Sequence, residues 1–243
     1  MPDKKKCTAV VLAGGSGSRM QSDIPKQYMP VCEKPLIWYS LNAVQISGVI
    51  DECVLVAAAD DIAFVRENIV DKYGFTKVTS IVAGGSERCF SVANALEAIS
   101  GEGYIFIHDG ARPFLTEEII KSCYDAVDKF GACVAAVPSK DTIKIADGDG
   151  FAASTPDRGY VWSIQTPQVF EAALIKKCYK IFTEEYTELA KNKITVTDDA
   201  GVVELFSDKR VKLVLSSYEN IKVTTPGDII IAESIISSRI NID

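Results

Sequence analysis

Residues 8–20 read TAVVLAGGSGSRM, an apolar run that ends in glycines. Thr8 to Leu12 are mostly β-branched and apolar, which suits a strand covered on both faces. Small residues then let backbone N–H groups approach an anion, so Ala13, Gly14 and Gly15 predict an anion-binding nest. Arg19 and Lys26, the latter in Pro25-Lys26-Gln27-Tyr28, would place two positive charges beside phosphates. Two familiar phosphate loops do not match. A dinucleotide G-x-G-x-x-G needs glycine where Met20 stands, and a Walker A loop needs a Gly-Lys-Ser/Thr that this stretch lacks. Taken alone, the turn also describes an ordinary strand-to-helix connection with a solvated arginine and lysine.

Outward from this turn, short β-rich runs alternate with amphipathic segments of helical length. The pattern predicts a helix over Leu36–Ile46, a strand over Glu52–Ala57, a helix over Ile62–Lys72 and a strand over Thr79–Val82. A helix over Arg88–Ile99, the strand Tyr104–His108, and a helix from the N-cap Thr116 to about Phe130 come next, followed by the strand Ala132–Val137. Near-continuous apolar strands separated by helices imply an α/β, Rossmann-like, doubly wound and mostly parallel sheet. The rhythm breaks after Pro138. Extended pieces near Thr142–Ile145 and Phe151–Ser154 flank DGDG at 147–150, a hairpin signal. We expect residues 139–162 to form a projecting β arm, with 1–138 and 163–243 as the nucleotide-binding domain. An exposed arm invites pairing with a second copy. Helices over Glu171–Tyr186 and Asp198–Leu205, late strands over Lys212–Ser216 and Ile221–Val223, and a closing helix at Thr225-Pro226 complete the chain.

The bulk composition narrows the function classes. A net charge of -7 offers no basic field to attract nucleic acid or an anionic membrane, although a local basic pocket is compatible with it. Seven cysteines without a C-x-x-C pair read as reduced thiols of a cytoplasmic protein. No stretch reaches the roughly 18 apolar residues of a membrane span.

Further motifs stand where ligands bind in open α/β sheets, at strand ends. Gly84-Gly85-Ser86-Glu87-Arg88 follows a strand and opens a helix, with Ser91 one turn on, a setting suited to a base or ribose. His108-Asp109-Gly110-Ala111-Arg112-Pro113 ends another strand. Asp109 there suits Mg²⁺, which takes one or two carboxylates beside phosphate oxygens. His108, the one histidine, is expected to be structural, because a phosphate nucleophile needs no base at pH 7. Arg158 and Lys222 are distant charges suited to clamping a second phosphate-bearing substrate.

The segments LAGGSGSRM, PKQY, GGSERCFSV, HDGARPF, KDTIK, TPDR, QTPQ, TDDA and NIKVTTPGD, in this order, resemble the 2-C-methyl-D-erythritol 4-phosphate cytidylyltransferases of the non-mevalonate isoprenoid pathway. The resemblance runs from residue 12 to 228. It implies a nucleotidyltransferase fold, CTP and a divalent metal, Mg²⁺, and a homodimer formed through the β arm. By that resemblance Arg19 and Lys26 stabilise the transition state at the α-phosphate of CTP, while Arg158 and Lys222 position the sugar-alcohol phosphate. Asp109, Arg112, Thr142 and Thr166 match positions lining the substrate and metal site. Ala13, Gly14, Gly15, Gly85, Ser86 and Ser91 match the nucleotide-contacting turns. Two positions depart from the commoner pattern: Gly14 where alanine is common, and Ser86 where aspartate is frequent. A ribitol 5-phosphate cytidylyltransferase shares several motifs, but Lys140-Asp141-Thr142-Ile143-Lys144 and Thr155-x-Asp157-Arg158 favour the methylerythritol enzyme. A non-catalytic nucleotide-binding regulator would be expected to have lost one or more of the five charged residues. A pyrophosphorylase using another base differs in contacts that the sequence does not display.

Overall fold

The computed structural model describes residues 4–15 and 24–240. The predicted first strand is β1 (Cys7–Leu12), flanked in parallel by β4 (Glu52–Ala57) and β6 (Tyr104–Asp109). Outside these lie β5 (Val78–Ala83), β10 (Trp162–Glu171), β7 (Ala132–Pro138) and β11 (Lys212–Leu215). Among the described residues the main sheet has seven strands, in the order β11-β7-β10-β6-β1-β4-β5. Only β10 runs antiparallel to its neighbours, so the sheet is mostly parallel, as expected.

Side-chain alternation along the strands builds two cores. Cys7, Ala9 and Val11 of β1 and Tyr104 and Phe106 of β6 pack with α1 (Leu36–Ile46) and α4 (Glu117–Phe130). Val10, Ile105 and Ile107 face the other way, against α3 (Arg88–Ala98), α5 (Ala172–Lys191) and α6 (Asp199–Phe206). Each fully buried Val, Ile or Phe side chain among these stabilises the fold by ~1.5–3 kcal/mol, which is why the strands read as unbroken apolar runs. The Thr116 hydroxyl accepts from Ile119 N–H and starts α4, and Gly131, at φ 77°, ends it in the left-handed region. A third cluster joins α7 (Pro226–Ile240) to the small hairpin of β2 (Pro30–Val31) and β3 (Lys34–Pro35). Val223 and Ala111 belong to it, so α7 anchors the segments that carry Lys222 and Arg112.

Four sequence expectations need adjusting. The helix expected over Ile62–Lys72 is α2 (Ile62–Val65) followed by a π turn, Arg66–Asp71. Val65, Ile69 and Val70 are buried, and that spacing does not separate an α turn from a π turn. Ile221–Val223 pairs with no strand; its extended backbone is tied instead by Val223 N–H to the Ala111 carbonyl at 2.8 Å. β10 was not foreseen, because Pro167 argues against a strand. A register shift between Ile164 and Gln168 accommodates that proline. The paired strands of the arm are shorter than expected: β8 (Ile145–Ala146) and β9 (Ala152–Ser154) pair around Asp147, whose carboxylate accepts from the N–H groups of Asp149 and Phe151. Its residues are exposed, so the hairpin stands off the main sheet.

Candidate active site

The carboxyl ends of β1, β4, β5 and β6 and the entry of β10 converge on one edge of the sheet. Two glycine turns meet there. Ala13 N–H donates to the Val56 carbonyl and Gly84 N–H to the Ala57 carbonyl, both at 2.8 Å. A Cβ on Gly14 would lie 3.6 Å from Gly84 Cα, so the turns stand about one methyl group apart. A Cβ on Gly85 would come within 2.3 Å of Phe90 Cβ, which only glycine avoids. Ser91 shapes this turn from within: its hydroxyl accepts from Gly85 N–H at 3.0 Å and donates to the Glu87 carbonyl at 3.1 Å. The Gly85 N–H expected to face a ligand is therefore taken by Ser91. Ser86 is exposed at the tip.

Gln27, buried, binds the PKQY segment to the first turn by donating to the carbonyls of Ala13 at 2.8 Å and Gly15 at 3.2 Å. That sets Lys26, whose Nζ donates to the Val223 carbonyl at 3.1 Å, beside the segment bearing Lys222. Arg19, with the rest of residues 16–23, lies outside the described residues.

Asp109, at the end of β6, is the hub of a charged cluster. Lys222 Nζ lies 2.8 Å from its Oδ2, Arg88 Nε 3.4 Å from its Oδ1 and Arg112 Nε 3.9 Å from Oδ2. Burial alone would push this carboxyl up; the charges of Arg88, Lys222 and Arg112 outweigh it and hold it well below the usual carboxylate range. Three cations thus converge on one carboxylate in a chain of net charge -7. Thr166 accepts from Asp109 N–H at 3.1 Å and contacts His108 Nδ1 at 3.0 Å. His108 Nε2 lies 3.1 Å from the Arg112 carbonyl, so both ring nitrogens are spent on structure. Asn220 donates to Gln165 Oε1 at 3.0 Å and to the Thr166 carbonyl at 2.9 Å, and its own carbonyl accepts from Arg112 at 2.7 Å. Arg88, Asp109, Arg112, Gln165, Thr166 and Lys222 line a cavity of about 440 Å³.

The fold brings Asp109, Arg112, Thr166 and Lys222 to this cavity and sets Lys26 beside the segment that carries Lys222. It does not bring Arg158 and Thr142 to the cavity of their own chain. Both are exposed on the arm, and Arg158 donates to the Lys140 carbonyl at 3.4 Å. Gln27, Arg88, Gln165, Asp199 and Asn220 had no assigned role, although each sits inside a quoted motif. The missing signal was burial, since a polar side chain in a loop motif reads as solvated until packing shows otherwise.

A divalent ion has little protein to hold it, because the described residues contain no group of three or more His, Cys, Asp and Glu side chains placed for one. Asp109 fits as the single carboxylate Mg²⁺ takes beside substrate phosphates: it stays ionised and its Oδ1 is only loosely engaged.

The family model for 2-C-methyl-D-erythritol 4-phosphate cytidylyltransferase matches residues 7–238. The chain belongs to this family. It is 51% identical over 225 residues to a 2-C-methyl-D-erythritol 4-phosphate cytidylyltransferase of Lachnospira eligens, covering 93% of this chain and 96% of the relative. A relative of the same name from Lachnoclostridium phytofermentans is 46% identical over 233 residues, covering 96% and 97%. The crystal structure of 4-diphosphocytidyl-2C-methyl-D-erythritol synthase from Anaerococcus prevotii is similar with a TM-score of 0.83 at 35% identity, covering 97% of both chains. Family membership makes the chain a nucleotidyltransferase on the expected α/β fold.

Proposed function

We propose that this enzyme transfers CMP from CTP to 2-C-methyl-D-erythritol 4-phosphate, giving 4-diphosphocytidyl-2-C-methyl-D-erythritol and pyrophosphate. The observation that carries the reading is the cavity at the carboxyl end of β6, where Lys222, Arg112 and Arg88 surround Asp109.

The glycine turns receive the nucleotide, with Gly85 and Ser91 fixing their shape and Ala13, Gly14, Gly15 and Ser86 bordering it. A phosphate oxygen of the acceptor attacks the α-phosphorus in line, the bond to the β-phosphate bridging oxygen breaks, and pyrophosphate departs with that electron pair. Such transfer depends on positioning and charge rather than on a protein base. Lys26, with Arg19, holds the charge that develops at the α-phosphorus. Lys222 and Arg112 hold the acceptor phosphate, and Thr166 keeps the Asp109 backbone in place. Mg²⁺, held by Asp109 and the triphosphate, supplies further neutralisation of phosphate charge when bound. His108 takes no proton, since it is buried and burial pushes its pKa down to about 4.

Thr142 and Arg158 reach an acceptor from the arm of a second copy. The exposed apolar side chains Ile145, Phe151 and Tyr160 on and beside that arm favour a homodimer formed through it. Among the described residues no helix is long and apolar enough to cross a membrane, and the seven cysteines are free thiols, which suits the cytoplasm.

Pyrophosphate release from CTP tests the reading, with methylerythritol phosphate and ribitol 5-phosphate supplied separately. Release with the first alone, and a ~10²–10³-fold lower kcat in Lys26→Ala, is expected. Release with ribitol phosphate alone would refute the substrate.

A further inference from the structure

Arg88 has more carboxylate around it than a substrate contact needs. Its NH1 and NH2 form a two-pronged pair with Asp199, at 2.9 and 2.7 Å, and its Nε turns to Asp109 Oδ1 at 3.4 Å. Asp199 is fully buried at the start of α6, and the Tyr179 hydroxyl of α5 donates to its Oδ1 from behind. Buried ion pairs rarely exceed a well-packed apolar pair in stability, but they do fix a direction. Here the direction is set by which edge of the guanidinium is left over.

We propose that Asp199, backed by Tyr179, is a positioning residue for the acceptor side of the reaction. By occupying the fork of Arg88 it presents only the Nε edge to Asp109. Asp109 then stays shared with Lys222, and Lys222 Nζ stays at the cavity wall, where the acceptor phosphate arrives. A guanidinium freed from Asp199 finds its strongest remaining partner in Asp109, because a two-pronged pair outcompetes a single-edge contact. Lys222 would then lose its 2.8 Å partner and its fixed position. The inference rests on reading this cavity as the acceptor-phosphate site.

The experiment compares steady-state kinetics of Asp199→Asn, Tyr179→Phe and Lys222→Ala, each first shown by calorimetry to bind CTP as the wild type does. Asp199→Asn should raise KM for methylerythritol phosphate about tenfold or more while KM for CTP stays within about twofold. Tyr179→Phe, which removes one hydroxyl and leaves the pair in place, should move the same constant by about two- to fivefold. A structural role alone would lower kcat through a smaller active fraction and leave both KM values where they were; that result would overturn the proposal. So would an unchanged acceptor KM in folded Asp199→Asn, provided Lys222→Ala raises it. An unchanged acceptor KM in Lys222→Ala would instead sink the assignment of the cavity. Should Asp199→Asn fail to bind CTP, Tyr179→Phe decides alone: a raised acceptor KM supports the proposal and an unchanged one overturns it.

Discussion

Replacing His108 by glutamine should remove the histidine share of the fold's pH-dependent stability. His108 is the only histidine in the chain, and it is 1% exposed. Thr166 Oγ1 accepts from Asp109 N–H, so it turns its own proton toward His108 Nδ1, and Nε2–H donates to the Arg112 carbonyl. This network assigns the neutral tautomer. Burial pushes the imidazole from 6.5 down to about 4, opposed in part by the hydrogen bond to the Arg112 carbonyl. The unfolded chain therefore takes up a proton near pH 6.5 and the folded chain only near 4. The stabilisation is complete above pH 6.5 and is lost as pH falls toward 4. At ~1.4 kcal/mol per pH unit, this amounts to roughly 2 kcal/mol by pH 5 and roughly 3 kcal/mol over the whole window.

Urea unfolding of wild type and His108→Gln across pH 7.5 to 5 measures this directly. At pH 7.5 the variant should be less stable by about 1–3 kcal/mol, because glutamine leaves a buried partner unmet. The gap should narrow by roughly 2 kcal/mol at pH 5, where only the wild type has lost the histidine contribution. Carboxylates held low in the fold, such as Asp51 and Asp228, act alike in both proteins and cancel. A gap that stays flat across this range would refute the account, as would an imidazole resonance of the folded protein titrating near 6.5.

Three further outcomes are expected. Gly85→Ala forces its Cβ against Phe90 and should raise KM for CTP about tenfold or more, through a strain of ~1–3 kcal/mol; nucleotide kinetics that do not change would show that this turn is not a nucleotide contact. Asn220→Ala strips two donors from Gln165 and the Thr166 carbonyl and should lower Tm by roughly 5 °C, read by calorimetry, with acceptor turnover falling as Arg112 and Lys222 loosen. Assayed near the wild-type acceptor KM, Arg158→Ala and Lys222→Ala should each turn over slowly alone. Mixed and allowed to exchange subunits, they should regain roughly a quarter of wild-type turnover, because random pairing leaves that fraction of sites intact if each arm serves its partner; no recovery would mean the arm serves its own chain.

The layered fold was legible because its signals are local. Unbroken apolar runs such as ACVAAV at 132–137, short and bounded by turn residues, suit strands covered on both faces, and Thr116 marks a helix start by capping chemistry. The β10 strand was not legible: Pro167 contradicts it locally, and only a shifted register between two neighbouring strands makes room for it. The glycine turns and their charges were legible as candidate ligand loops only in combination, since each alone also describes an ordinary strand-to-helix turn.

What the sequence by itself determined was therefore the periodicity of the sheet and helices, the position of the glycine turns, and the set of charges that could meet phosphate. Tertiary structure alone decided which of those charges meet each other. Lys222 reaches Asp109 across 113 residues of chain, Arg88 is turned by an aspartate 111 residues away, and Arg158 stays with the arm. Charge pairing falls off over a few ångströms in space and carries no mark in sequence distance, so no reading of neighbours along the chain could have ordered these partners.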